Sequence, residues 1–258
     1  EQDPRLRYAV MAHGSDLYTE RHANGRIPYR AWQVRQADRV ICIARHGADY
    51  LRARFPAHAG KVEVAHLGTM DHGPGPWAPA DALRIVSCAY LRPPKRIHLL
   101  ARALAQVRRP VHWTHFGDGP DRSALDEAVA ALPPHITVDM PGNVVPEEVI
   151  AWYRRNPADL FVHLSGHEGV PVAMMEAISF GIPVWANDVG GVAELLRPPA
   201  GKLLPADIDP ARLAALLDGP EADHWRQAEV RRDVRAYWQE QFSAEANFVR
   251  IVSQASSL

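Results

Sequence analysis

Residues 165–195 read SGHEGVPVAMMEAISFGIPVWANDVGGVAEL, and the order of elements in this stretch decides the fold. Glu168 sits in a glycine-flanked loop, Pro171 follows where a helix can begin, and Glu176 comes eight positions after Glu168. Gly181 stops the helix, and IPVWAN (182–187) is a buried strand leading to Gly190 and Gly191. The stretch is thus a loop, helix and strand entered from the strand ADLFVHLS (158–165), with its polar residues gathered at one end.

Proline in the first helical turn costs no hydrogen bond, because the early N–H groups have no intrahelical partner. Those N–H groups and the positive end of the helix dipole suit an anion such as a diphosphate. Glu168 precedes that point, and Glu176 lies about 7 to 8 Å along the helix axis from Pro171 at ~1.5 Å per residue. Two carboxylates therefore bracket one anion site. Carboxylates accept hydrogen bonds from paired hydroxyls, so the layout suits a ligand with a polyol on each side of a diphosphate. A nucleotide sugar has that shape.

EGVPVAMMEA followed by SFGIPVWANDVGGVAEL resembles the E-x7-E signature of the nucleotide-sugar-dependent glycosyltransferases of the large retaining family 4, down to the GG-x-x-E ending at Glu194. The resemblance implies the two-domain GT-B fold. It puts Glu168 on the donor sugar and Glu176 on the ribose hydroxyls, with Gly169, Val170, Pro171 and Val172 forming the donor loop between them.

The totals are compatible with this. With 258 residues, 47% hydrophobic and 23% charged, the chain can bury a large core in one or two domains. A formal charge of −1 gives no reason to expect nucleic acid as a partner. Cys42 and Cys88 each lie in an apolar run, as buried reduced thiols do in a cytosolic protein. No apolar run approaches the ~20 residues of a membrane-spanning helix.

From Leu83 onward strands and helices alternate. LRIVSCAY, VHWTHFG, HITVDM, ADLFVHLS, IPVWAN and GKLL are strands, with helices over 97–107, 122–132, 147–154 and 210–217. Such alternation predicts an α/β fold with a doubly wound, Rossmann-like parallel sheet and ligands at the C-terminal strand ends. Upstream, RYAVMA (7–12) is a strand delivering His13 and Gly14 to a loop, RVICIA a strand, HGADYLRARF an amphipathic helix, and KVEVAH a further strand. The Pro- and Gly-rich DHGPGPWAPAD (71–81) reads as a linker. Residues 224–253 form one or two terminal helices, with Trp225, Trp238, Phe242 and Phe248 as packing anchors.

Further site candidates follow from the same resemblance. His13 matches the first-domain histidine that reaches toward the donor sugar. LRPPKRIHLL (91–100) looks like the family's R-L-x-x-x-K-R loop, with Lys95 at the lysine position; the arginine position is Tyr90, and Arg92 is the candidate to supply the missing charge. A cation there can neutralise a diphosphate leaving group. FGDGPDR (116–122) also matches, with Asp118 read as structural, and the backbone near Gly142 and Asn143 is implied to contact the nucleobase. Other groupings carry bland readings. His163 and His167 do not share a face, since His163 lies in a strand; His112 and His115 point to opposite faces; and Asp207 and Asp209 precede a helix as start carboxylates.

The resemblance spans about Arg7 to Phe248, and the family's first-domain strands before His13 are missing. With Glu rather than Met first, an upstream piece is expected to be absent. The expected division is residues 1–75 as the last part of the acceptor-side domain, 76–240 as the donor domain, and 241–258 as a helix packing back toward the N-terminal part. The expected activity is transfer of a hexose from a UDP- or GDP-linked sugar to a glycan or lipid-linked acceptor, with retention and without metal or cofactor. The expected place is the cytoplasm, at the inner face of a membrane if the missing part associates with one. Two alternatives stand: a catalytically incomplete sugar-nucleotide binding fragment, and another GT-B enzyme such as a sugar-nucleotide epimerase.

Overall fold

Short apolar runs separated by amphipathic helices bury the central strands on both faces, and the computed structural model, which describes residues 7–14, 17–22 and 24–256, arranges the strands in two parallel sheets. The N-terminal sheet has the order β1-β2-β3, from β1 (Ala9–Ala12), β2 (Arg39–Cys42) and β3 (Val62–Val64). Helices α1 (Arg30–Gln36) and α2 (Arg45–Arg54) connect them. Its core holds Val34, Val40, Cys42, Ala48 and Leu51. The sequence pattern did not mark α1, because only Arg30 and Val34 of its seven residues are buried.

The second sheet is built from β4 (Leu83–Cys88), β5 (Val111–Phe116), β6 (Ile136–Gly142), β7 (Leu160–His163), β8 (Val184–Asn187) and β9 (Gly201–Leu204). Its order is β6-β5-β4-β7-β8-β9. The chain winds outward from β4 in one direction, returns to β7 beside β4, and winds outward in the other. The order reverses between β4 and β7, so the loops leaving these strands splay apart and open a crevice at their C-terminal ends. Pro141 lies within β6, which tolerates it as an edge strand.

Helices α3 (Ile97–Leu104), α4 (Arg122–Ala130), α5 (Pro146–Arg155), α6 (Val172–Ser179), α7 (Val192–Leu195), α8 (Pro210–Asp218), α9 (Pro220–Trp225) and α10 (Ala228–Gln241) cover the two faces. Successive strand residues serve opposite cores: Phe161, Val184 and Ala186 pack with α6 and α10, whereas Leu160, Val162 and Trp185 pack with α3 and α8. Asp209 caps α8 by accepting from the Arg212 N–H at 2.8 Å, the helix-start role expected for it.

Several expectations need correction. Among the described residues the C-terminal region comprises α9, α10 and α11 (Ala244–Ser256), so its helices begin at Pro220 and number three. Phe248 is no anchor, being 65% exposed. The buried face of α11 belongs to Asn247, which donates to Leu67 O at 2.9 Å, and the next residue turns ~100° away around the helix. Pro171 caps α6 rather than occupying its first turn, and β4 ends at Cys88, short of Tyr90. The 71–81 segment has no regular structure but is tied down: Gly75 N donates to Phe180 O, and Trp77 Nε1 to Arg226 O.

Candidate functional site

The loops after β4 and β7 meet at the crevice. Gly166 N donates to Pro94 O at 2.8 Å, and the Arg96 guanidinium donates to Leu164 O and Ser165 O at 2.8 and 3.1 Å. These bonds hold Lys95 beside Glu168, and the two side chains form an ion pair. A cleft of about 380 Å³ opens around them, lined also by Arg92, Gly169, Val170 and Gly14. Gly14 brings in the loop after β1: a Cβ built on it would lie 3.7 Å from Gly169 Cα. His13 precedes Gly14 and is exposed at the exit of β1.

Glu168 is held from two sides. His163, the last residue of β7, places Nε2 2.8 Å from Glu168 Oε1, the oxygen that Lys95 also contacts. Burial opposes ionisation of Glu168, but the His163 hydrogen bond and the charges of His163 and Lys95 outweigh it and lower its pKa to about 2. Its backbone is fixed as well. A Cβ on Gly190 would fall 2.0 Å from Glu168 O, and one on Gly191 would fall 2.6 Å from Gly169 O. The glycine pair therefore lets the loop after β8 lie directly on the Glu168 loop, at a φ of +57° for Gly190.

Glu176 behaves differently. It lies on α6, its pKa is raised by burial, and its charge adds to the upward shifts of Cys88 and Tyr153. Among the described residues its carboxylate has no hydrogen-bond or ion-pair partner. Cys88 is pushed up to about 11, by burial first and then by Glu176, so it is a neutral thiol. Gly169, Val170, Pro171 and Val172 carry the chain from Glu168 to the first turn of α6, where Met174 N bonds Pro171 O and the preceding N–H groups lack helical partners.

Gly142 ends β6 with Asn143 next to it, and neither lines the cleft around Lys95 and Glu168. A Cβ on Gly142 would approach Asp118 Oδ2 and Arg122 Nη1 at 3.8 and 3.9 Å. Asp118 accepts from Gly119 N at 2.7 Å, which shapes the turn. Among the described residues, no group of three or more His, Cys, Asp and Glu is arranged to hold a metal ion. No helix there is long and apolar enough to cross a membrane.

Residues 78–240 match the family described as glycosyl transferases group 1. The chain belongs to that family. Among curated relatives it is 28% identical over 225 residues to a protein of Escherichia coli (strain K12) named as a colanic acid biosynthesis glycosyltransferase, WcaL, covering 83% of this chain and 55% of the relative. It is 30% identical over 169 residues to one of Bacillus subtilis (strain 168) named as a teichuronic acid biosynthesis glycosyltransferase, TuaC, covering 66% of this chain and 41% of the relative. The chain thus spans about half the length of these relatives. In structure it is similar to HepE of Anabaena, solved in complex with UDP, with a TM-score of 0.79 at 20% identity over 98% of this chain and 73% of that one. The fold is that of GT-B glycosyltransferases, an α/β fold with parallel sheets.

Three contacts escaped the sequence reading. His163 looked like an ordinary strand residue; its signal was a polar side chain closing the apolar run LFV at a C-terminal strand end. Arg96 takes a φ of +50° and staples two loops, which no local pattern announces. Glu194 reaches the N-terminal sheet's helix: its oxygens accept from Arg45 N and His46 N at 2.6 and 2.8 Å, and His66 Nε2 lies 3.1 Å away. A carboxylate thus closes the N-terminus of α2 from 149 residues along the chain.

Proposed function

We propose that this chain is the donor-binding part of a retaining hexosyltransferase of family 4, taking a UDP- or GDP-linked sugar and passing the hexose to a glycan or lipid-linked acceptor. The observation that carries the reading is the contrast between the two glutamates of the E-x7-E spacing at the β4/β7 crevice. Glu168 is ionised and held by Lys95 and His163, whereas Glu176 is a half-buried carboxylate with neither cation nor donor. A half-buried carboxylate with no partner among the described residues keeps its acceptor positions open for a ligand's hydroxyls.

In this scheme Lys95, assisted by Arg92 and the first N–H groups of α6, stabilises the charge developing on the departing diphosphate. Glu168 orients the hexose, Glu176 accepts from the ribose hydroxyls, and His13 approaches the sugar from the N-terminal side. Gly142 and Asn143 are assigned to the nucleobase end. HepE, solved with UDP, and the relatives named for polysaccharide synthesis support the choice of donor and acceptor class. We assign residues 1–75 to the acceptor side, 76–240 to the donor side and 241–258 to a helix packing back toward the N-terminal part, with action at the cytoplasmic face of a membrane when the acceptor is lipid-linked.

Calorimetry with UDP-glucose and GDP-mannose tests the reading, since each hydrogen bond lost to a charged acceptor costs about 1.5 to 3 kcal/mol. Glu176→Ala is expected to weaken nucleotide-sugar binding at least tenfold. Unchanged affinity would remove the ribose role.

A further inference from the structure

His163 and Lys95 both contact Oε1 of Glu168, and among the described residues Oε2 has no hydrogen-bond partner. The carboxylate is therefore anchored by one oxygen and leaves the other to accept from a ligand. The two anchors differ in kind. Lys95 is a point charge on a flexible stem, 19% exposed at the rim of the cleft. His163 is 5% exposed, belongs to a strand, and its ring lies nearly parallel to that of Phe161 at 6.3 Å. An anionic ligand entering the cleft competes with Glu168 for Lys95, whereas it has no comparable access to His163.

We propose that His163 is a positioning residue that keeps Glu168 in its sugar-orienting place while Lys95 exchanges Glu168 for the diphosphate of the donor. The inference rests on the donor-site reading above. The ionised carboxylate is acceptor-only, so His163 must present Nε2–H to it. The other charged or titratable groups around the cleft are Arg92 on the β4 loop, His167 on the β7 loop and His22 on the N-terminal side. Without the His163 hydrogen bond, the Glu168 pKa moves back up toward the ordinary carboxylate range.

The full chain is tested with His163→Leu, which removes the donor, and His163→Gln, which keeps an N–H near the Nε2 position. With UDP-glucose and GDP-mannose as probes, His163→Leu is expected to lower kcat for donor consumption about 10- to 100-fold, the equivalent of one charged hydrogen bond, with little change in donor KM. It should also lose activity as pH falls through the carboxylate range, where the parent chain retains it, and His163→Gln should recover most of both. Equal loss in both variants, or a KM effect alone, would overturn the proposal. Imidazole 15N NMR provides a readout independent of turnover: His163 is expected to carry a hydrogen-bonded proton on Nε2 that changes in Glu168→Ala, and a mobile ring or one with no proton on Nε2 would also overturn it. A parent chain that binds neither donor in calorimetry would refute the donor-site reading, and where donor is bound but not consumed the NMR result decides the His163 contact.

Discussion

Replacing Gly190 with alanine should displace the Glu168 loop without touching any side chain of the cleft. The new Cβ would start 2.0 Å from Glu168 O, and relief to a contact distance of about 3 Å or more needs a backbone shift of about 1 Å. The left-handed φ of +57° adds ~1 to 2 kcal/mol for any residue with a Cβ, and forced overpacking a further ~1 to 3 kcal/mol. Gly73→Ala separates the two costs. Its φ is +83°, yet no atom lies within 4 Å of the built Cβ, so it carries conformational strain alone. Thermal melts should therefore show Gly190→Ala losing about 2 to 5 kcal/mol and Gly73→Ala about 1 to 2 kcal/mol. Because a misplacement of ~1 Å at a reacting group costs about a hundredfold, Gly190→Ala should also lose about two orders of magnitude in donor turnover, which Gly73→Ala keeps. A folded Gly190→Ala chain with parental turnover would refute the argument that the glycine pair sets the position of Glu168.

Two further outcomes follow from the carboxylates. Burial raises the Glu176 pKa, so its ionised form destabilises the fold at pH above that raised value, and the penalty disappears below the unfolded value of 4.5. Glu176→Gln should therefore raise the melting temperature at neutral pH while weakening ligand binding, with the gain shrinking as the buffer is taken below pH ~4.5; a lower melting temperature at pH 7 would count against an unpartnered carboxylate. Glu194→Ala removes the acceptor for Arg45 N and His46 N and should cost about 1 to 2 kcal/mol in denaturant unfolding, with faster amide exchange at the start of α2. Unaltered exchange at Arg45 and His46 would show that the contact is not maintained in solution.

Much of the fold was legible because strand and helix periods in this chain are clean. The runs VHWTHF, LFVH and VWAN are buried on both faces, as parallel strands between two helix layers must be. The E-x7-E stretch was legible because a loop carboxylate, a helix-starting proline and a helix-ending glycine are local events written in consecutive residues. Phe248 was misjudged because aromatic character says nothing about which side of α11 meets the rest of the chain; Asn247 turned out to make that contact.

By itself, then, the sequence determined the alternating parallel architecture, the crevice that such winding creates, and the residue types that would stand at its mouth. The tertiary structure decided how those residues are paired. His163 and Lys95 converge on one oxygen of Glu168 although they lie 5 and 73 positions from it, and Glu194 reaches α2 across 149 residues. Hydrogen bonds and ion pairs of this kind depend on distances of about 3 Å between atoms brought together by strand order. The order β6-β5-β4-β7-β8-β9 sets the loops after β4 and β7 side by side. That neighbourhood is what distinguishes a cation-held Glu168 from an unpartnered Glu176.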